Sequence, residues 1–256
     1  QDEINDNEFH KYFIKELNRH REAPEAWELK SVTVRQEASG KYYVSVLYEY
    51  ESQVIEHNDT NKTIGLDYAM NGLYVNDRGS SAEMPHYFRK AEKRLHKAQR
   101  KLSRMYVMGV EKQSNRYYKQ KKRVALLHEK VRQQRLDWLH KESRYLVNQY
   151  DYIGIEDLDM KGMSQSLHFG KSVSDNGWGM FVRMLEYKAE ISGKHVIKAD
   201  KLFPSSQKCH VCGALNPKTK DLSIRKWVCP VCGSKHNRDH NAAINLKKEA
   251  QRLALM

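Results

Sequence analysis

Apolar and polar positions alternate from Ser31 to Glu51, with Val32 and Val34 before Gly40 and Tyr42, Val44, Val46 and Tyr48 after it. Successive strand side chains point to opposite faces, so a period of two broken by a turn residue predicts a β-hairpin. Upstream, Glu8 to Arg21 has helical spacing that breaks at Pro24. Glu56 to Lys62 is a polar connector and a domain boundary by composition. Beyond it, Thr63-Ile64-Gly65-Leu66-Asp67, a turn at Asn71-Gly72 and Leu73-Tyr74-Val75 predict strand, tight turn, strand. A short third strand near Ser80–Met84 is expected to complete the meander before Pro85.

From His86 to Gln149 the period lengthens to that of a helix, through Leu95, Leu102, Val124, Leu127, Val131, Leu136, Leu139, Leu146 and Val147. Gly109 interrupts the pattern, which predicts two antiparallel helices rather than one rod. Tyr152 to Glu156 is a buried strand by pattern, and the Gly- and Ser-rich Lys161 to Gly179 a mobile loop. A helix over Phe181–Ser192 stopped by Gly193, a strand over His195–Ala199 and a final helix over Asp239–Leu253 complete the chain. Ala242, Ala243, Ile244 and Leu246 lie on or near the buried face of that last helix. Strands interleaved with helices in this order predict an α/β fold around a sheet of mixed direction.

At 256 residues the chain is long enough for one main domain with small attachments. No apolar run approaches the roughly 18–20 residues that cross a bilayer, and the polar, acidic Gln1–His10 does not resemble a signal peptide. A start at Gln rather than Met suits the C-terminal part of a longer protein. The net charge of +13 is concentrated: His86 to Leu146 holds 19 Lys and Arg against 5 Asp and Glu. Such localisation marks a surface that meets phosphates. Tyr87, Phe88, Tyr106, Tyr117, Tyr118, Trp138 and Tyr145 are interspersed with the charges and suit base stacking. The plainer alternative is a solvated charged helix pair whose aromatics pack on the sheet.

All four cysteines fall in two pairs, Cys209-x-x-Cys212-Gly213 and Cys229-x-x-Cys232-Gly233, separated by sixteen residues. Two close pairs suit tetrahedral thiolate ligation of Zn²⁺ better than disulfides or a redox pair, and point to a reducing cytosol. Gly213 and Gly233 let the chain turn around the thiolates, and Ile224–Val228 is the expected returning strand. With four protein ligands the site is closed, hence structural. Asp67 and Glu156 lie on apolar strand-like runs, and Asp239 opens the last helix. If they converge, they form a hard-oxygen site for Mg²⁺ or Mn²⁺, suited to phosphodiester hydrolysis by water. Taken singly, an Asp such as Asp239 at a helix start is more often a cap, Glu156-Asp157 also reads as a polar turn, and Asp157, Asp159 and Asp200 compete as carboxylates. His236 and His240 flank Asp239, either as surface histidines or as phosphate contacts.

Several of these strings together resemble the TnpB (OrfB) proteins of insertion sequences, compact RNA-guided nucleases related to type V CRISPR effectors. They are Ile64-Gly65-Leu66-Asp67, Ile155-Glu156-Asp157-Leu158 and Phe203-Pro204-Ser205-Ser206, then the two cysteine pairs and Arg238-Asp239-His240-Asn241-Ala242-Ala243-Ile244-Asn245-Leu246. The resemblance covers about Thr63 to Glu249. Asn237 stands where many members carry Asp.

The resemblance implies an RNase H/RuvC-like mixed sheet over 61–203 and 236–256, with a basic helical insertion at 86–149 and a zinc ribbon at 204–235. Residues 1–60 would be the remnant of a wedge-type barrel, a β-hairpin with an N-terminal helix. It also implies that Asp67, Glu156 and Asp239 bind the catalytic Mg²⁺ or Mn²⁺, and that Cys209, Cys212, Cys229 and Cys232 bind Zn²⁺. The implied activity is that of a metal-dependent endodeoxyribonuclease of a transposable element. It would act in the bacterial or archaeal cytoplasm with a guide RNA and a target DNA as partners, leaving 5′-phosphate ends. The alternative is a catalytically silent or truncated nucleic-acid-binding regulator derived from such a nuclease, against which the intact acids count. An unguided junction-type nuclease is a second rival, against which the ribbon just before Asp239 counts.

Overall fold

Two strands open the described part of the chain, β1 (Glu28–Gln36) and β2 (Tyr42–Glu49), paired antiparallel with Val32 opposite Val46 and Val34 opposite Val44. The computed structural model describes residues 28–51, 60–160, 162–163 and 177–255. The expected helix at Glu8–Arg21, most of the Glu56–Lys62 connector and most of the Lys161–Gly179 loop lie outside the described residues. The chain divides into two compact units, Gln1–Val54 and Ile55–Met256, and the hairpin belongs to the first. Among the described residues, no helix is long and apolar enough to cross a membrane.

The second unit is built on a four-stranded sheet of β3 (Thr63–Tyr68), β4 (Tyr74–Asn76), β5 (Tyr152–Glu156) and β6 (His195–Ala199), in the order β4-β3-β5-β6. β4 runs antiparallel to β3, whereas β3, β5 and β6 are parallel, so the sheet is mixed as its pattern predicts. The third meander strand is shorter than expected: Asn76 N–H bonds the Ser80 carbonyl at 2.9 Å, Ala82 N–H the Tyr74 carbonyl at 3.0 Å and Leu73 N–H the Ala82 carbonyl at 3.2 Å. Ser81 makes a single bridge to Val75, and Asn76 Oδ1 accepts from the backbone N–H groups of Arg78 and Ser80. An Asn side chain that takes up local donors in this way holds a turn where a ladder would otherwise continue.

Between β4 and β5 run α1 (Tyr87–Met105) and α2 (Asn115–Gln149), folded back on each other. Gln120 donates to the Ala98 carbonyl at 2.8 Å, and Tyr106 meets Tyr117 at the tip. The break falls at Gly109 as expected, with φ of 78°. The Gln113 side chain bonds both N–H and C=O of Val107, and Ser114 caps α2 by accepting from Tyr117 N–H. α3 (Trp178–Ile191) starts three residues before the expected Phe181. Gly177, with φ of 69°, turns the chain so that Trp178 is buried beside Phe181.

Helices cover both faces of the sheet. Ile64, Leu66, Ile153 and Ile155 are fully buried in one cluster with Leu139, Leu146, Phe181 and Leu185 of α2 and α3. The opposite face is set by two glycines. Gly65 of β3 pairs with Gly154 of β5, and α4 (Arg238–Ala254) lies across both. A Cβ on Gly65 would stand 1.9 Å from the Ala243 carbonyl oxygen, and one on Gly154 2.6 Å from that of Leu246. Helix backbone therefore packs directly on strand backbone there, and Ala242, Ala243, Leu246 and Ala250 are buried beneath it.

Gly65→Ala is expected to cost about 3 kcal/mol or more, because backbone atoms cannot yield as a side chain can. Gly179→Ala, where a new Cβ meets nothing within 4 Å, should stay within about 1 kcal/mol of the parent. Urea unfolding of the two variants beside the parent measures both.

Candidate active site and metal centre

Residues two apart on a strand share a face, so the glycines that seat α4 also fix the direction of the side chains two positions beyond them. Asp67 lies two residues beyond Gly65 and Glu156 two beyond Gly154, on adjacent parallel strands in matching register. Asp239 is the second residue of α4, which those glycines hold in place. Asn237 caps the helix, its Oδ1 accepting from the N–H groups of Asp239 at 3.1 Å and His240 at 3.3 Å. Asp239 is therefore not the cap, and its carboxylate takes the Arg225 guanidinium at 3.3 Å.

The three acids line one cavity of about 470 Å³, together with Tyr68, Met70, Arg225 and Arg238. Burial pushes the Asp67 carboxyl well above the usual range, and the nearby charges of Glu156 and then Asp239 push it further, while Arg238 and Arg225 oppose the shift. Burial also raises Glu156, against a hydrogen bond from the Ser205 hydroxyl and the charge of Arg238. A buried carboxyl crowded by two further carboxylates is disfavoured in its charged form, and oxygen donors so placed are of the type that could hold a divalent cation. The competing acids are engaged elsewhere. Asp157 faces Lys201 at 3.8 Å, Asp159 accepts from Gly162 N–H, Asp200 accepts from Leu202 N–H, and none of the three lines the cavity.

Three residues at the acids were not singled out for chemistry by the sequence. Arg238 adjoins Asp239 and was open to notice. Arg225 is one of several basic residues in the ribbon hairpin, with nothing in its pattern to separate it from its neighbours. Ser205 lies inside the Phe203-Pro204-Ser205-Ser206 string, where its pattern assigns it no role.

The four cysteine sulfurs lie within 4.8 Å of one another. Cys209 and Cys232 are 3.7 Å apart, Cys212 and Cys229 3.6 Å. Sulfurs about 2.3 Å from a tetrahedral Zn²⁺ would stand about 3.8 Å apart, so the arrangement fits that ion. The two knuckles match. Gly213 N–H bonds the Cys209 carbonyl at 2.9 Å and Gly233 N–H that of Cys229 at 3.0 Å, with φ of 80° and 71° at the glycines. The returning strand β7 is shorter than expected, Lys226–Val228, and pairs with β8 (Lys235–Asn237), which leads straight into α4. His236 is no surface residue: it is buried against Trp227, with Nε2 3.1 Å from Cys209 Sγ. His240 Nε2 sits 3.0 Å from the Asp77 carbonyl oxygen.

Chain purified without chelator is expected to carry one zinc per molecule by elemental analysis, and Cys229→Ser to lose it with a lowered melting temperature. Zinc-free parent protein of unchanged stability would contradict the assignment.

Residues 178–246 match a family model described as "Cas12f1-like, TNB domain", and residues 45–167 match the OrfB model of IS605 elements, described as "Probable transposase". The chain is 34% identical over 226 residues to a Streptomyces pristinaespiralis protein named "Putative RNA-guided DNA endonuclease", covering 88% of this chain and 54% of that one. It is 32% identical over 233 residues to "Putative RNA-guided DNA endonuclease InsQ" of Escherichia coli K12, covering 85% of this chain and 56% of the relative. The chain thus spans about half the length of the curated relatives it matches. Its fold is similar to that in a cryo-EM structure of a Cas12f1–sgRNA–target DNA complex, with a TM-score of 0.51 at 18% identity, over 84% of this chain and 55% of that one.

Proposed function

The chain belongs to the OrfB family of insertion-sequence proteins, and from that premise we propose that it is the nuclease portion of an RNA-guided DNA endonuclease. The observation that carries the proposal is the convergence of Asp67, Glu156 and Asp239, from two strands and a helix, on one cavity that also presents Arg225 and Arg238. In this reading the sheet is RuvC-like, 61–203 and 236–256 form the nuclease domain, 204–235 is an inserted zinc ribbon, and the β1–β2 hairpin is the end of a wedge-type barrel.

The three carboxylates would hold Mg²⁺ or Mn²⁺, which when bound activates water and stabilises the leaving 3′ oxygen of a phosphodiester. Arg225 and Arg238 supply positive charge beside those acids, where a phosphate diester would enter, and a guanidinium meets phosphate oxygens in a two-donor geometry. The half-buried Tyr68, Met70 and Leu158 line the same cavity and narrow the access of bulk water to it. Hydrolysis of this kind leaves 5′-phosphate and 3′-hydroxyl ends. The basic residues of α1 and α2 suit the backbone of an RNA–DNA hybrid, which is gripped through its phosphates without reading its sequence. Exposed Tyr106, Tyr118 and Tyr145 lie among them, while Trp138 packs against the core.

The test is Mg²⁺-dependent cleavage of guide-matched DNA by the chain purified with RNA from its own element, beside Asp67→Ala. Loss of a ligand to a catalytic cation forfeits several kcal/mol of transition-state stabilisation, so cleavage is expected to fall about a thousandfold or more. Undiminished cleavage by Asp67→Ala would refute the assignment. Bound RNA without cleavage by the parent would leave a truncated enzyme or a binding-only regulator.

A further inference from the structure

Ser205 stands where the ribbon leaves the sheet, only 3% exposed, and its hydroxyl donates to Glu156 Oε1. What holds Ser205 there is a pair of asparagines one turn apart on α4. Asn245 Nδ2 donates to the Ser205 carbonyl at 2.8 Å and to the Lys208 carbonyl at 2.6 Å. Asn241 Nδ2 donates to the same Lys208 carbonyl at 2.8 Å, and its Oδ1 accepts from His210 N–H at 3.0 Å. Both asparagines are almost wholly buried. Buried amides are retained where their polar atoms find partners, and here both Nδ2 groups and the Asn241 Oδ1 find them on the backbone between Ser205 and His210. Lys208 and His210 are the neighbours of that cysteine on either side.

One helix thus does two things. Its first turn carries Asp239, and the following turns clamp the segment that brings the Ser205 hydroxyl to Glu156. We propose that Ser205 is a positioning residue for Glu156, and that the Asn241–Asn245 clamp makes its placement depend on the folded ribbon. The inference rests on the reading of Glu156 as a metal ligand. Glu156 is the last residue of its strand and is paired with Ala199, so the strand sets the face it stands on but leaves its rotamer to other contacts. A hydroxyl donor on one carboxylate oxygen restricts the rotamers and presents the group in a single orientation. Hydrogen bonds of this kind to ligating carboxylates typically account for roughly 10- to 100-fold in metal affinity or activity. The ribbon is then more than an insertion before α4. Its first knuckle is the anchor for the side chain that aims a catalytic acid.

The experiment is Mn²⁺ binding followed by electron paramagnetic resonance on the full chain, for the parent, Ser205→Ala, Asn245→Ala and Glu156→Gln, with zinc content and thermal unfolding measured alongside. Ser205→Ala is expected to weaken Mn²⁺ binding about tenfold or more while retaining one zinc per chain. Asn245→Ala, which removes the 2.8 Å bond to the Ser205 carbonyl without touching Glu156, is expected to weaken it in the same direction. Should Ser205→Ala fail to fold, Asn245→Ala carries the test alone. Parent-like Mn²⁺ affinity in the folded variants, with affinity lost in Glu156→Gln, would overturn the positioning role and leave the metal site standing. Mn²⁺ binding that Glu156→Gln leaves unchanged would overturn the metal site, and the positioning role with it.

Discussion

The contact on which the rest depends is that of α4 with Gly65 and Gly154. Two glycines side by side on adjacent parallel strands remove the side chains that would otherwise hold a helix off a sheet. The helix backbone comes down onto them, close enough that a single methyl group would collide with a carbonyl. Strand geometry then sets the face on which two of the acids stand. The face of the sheet that touches α4 at Gly65 and Gly154 is the face that presents Asp67 and Glu156 two residues later. The first turn of the same helix presents Asp239. Packing and chemistry are therefore set by one contact, and shifting the helix to relieve a clash at either glycine would also move one acid relative to the other two.

The environment around the acids is built from both directions along the chain. From before α4, the ribbon supplies Arg225, whose guanidinium meets Asp239, and Ser205, whose hydroxyl meets Glu156. From the sheet, Asp77 at the end of β4 is tied to the same helix through Lys247 at 2.7 Å and through its carbonyl to His240. The four-cysteine hairpin and the sheet edge thus grip α4 on two sides, with the carboxylates beside its start. Negative charge crowded into a half-buried cavity is costly by itself. Here the guanidiniums of Arg225 and Arg238 offset part of that cost, and a divalent cation would offset the remainder.

Much of this was legible in the chain. The alternation at Ser31–Glu51, the helical run from His86 broken at Gly109 and the paired cysteines each have a local cause, and each corresponds to an element of the structure. Gly65-x-Asp67 and Gly154-x-Glu156 could be read as strand ends bearing acids. Their register, and the reason for the glycines, could not, because both depend on a helix that comes far later in the chain, at Arg238–Ala254. The failures are equally physical. The third meander strand is cut to a short pairing of Ser80–Ala82 with β4, where the Asn76 side chain takes the N–H groups of Arg78 and Ser80. The start of α3 was misplaced because Trp178 comes after a Gly- and Ser-rich stretch and declares itself only through burial. His236 looked like a surface residue because its partners, Trp227 and Cys209, meet it only once the ribbon has folded. Arg225 carried no mark that set it apart from the other basic residues near it.

The proposed function requires that Asp67, Glu156 and Asp239, brought together by α4 on its glycine pair, make one site for divalent cations. Crystals of the chain soaked in Mn²⁺ and measured at the manganese absorption edge test it most directly. The account predicts anomalous density coordinated by these three carboxylates, distinct from the zinc signal among the four cysteines. Manganese bound elsewhere, or no density at the three acids in a well-ordered crystal, would contradict it.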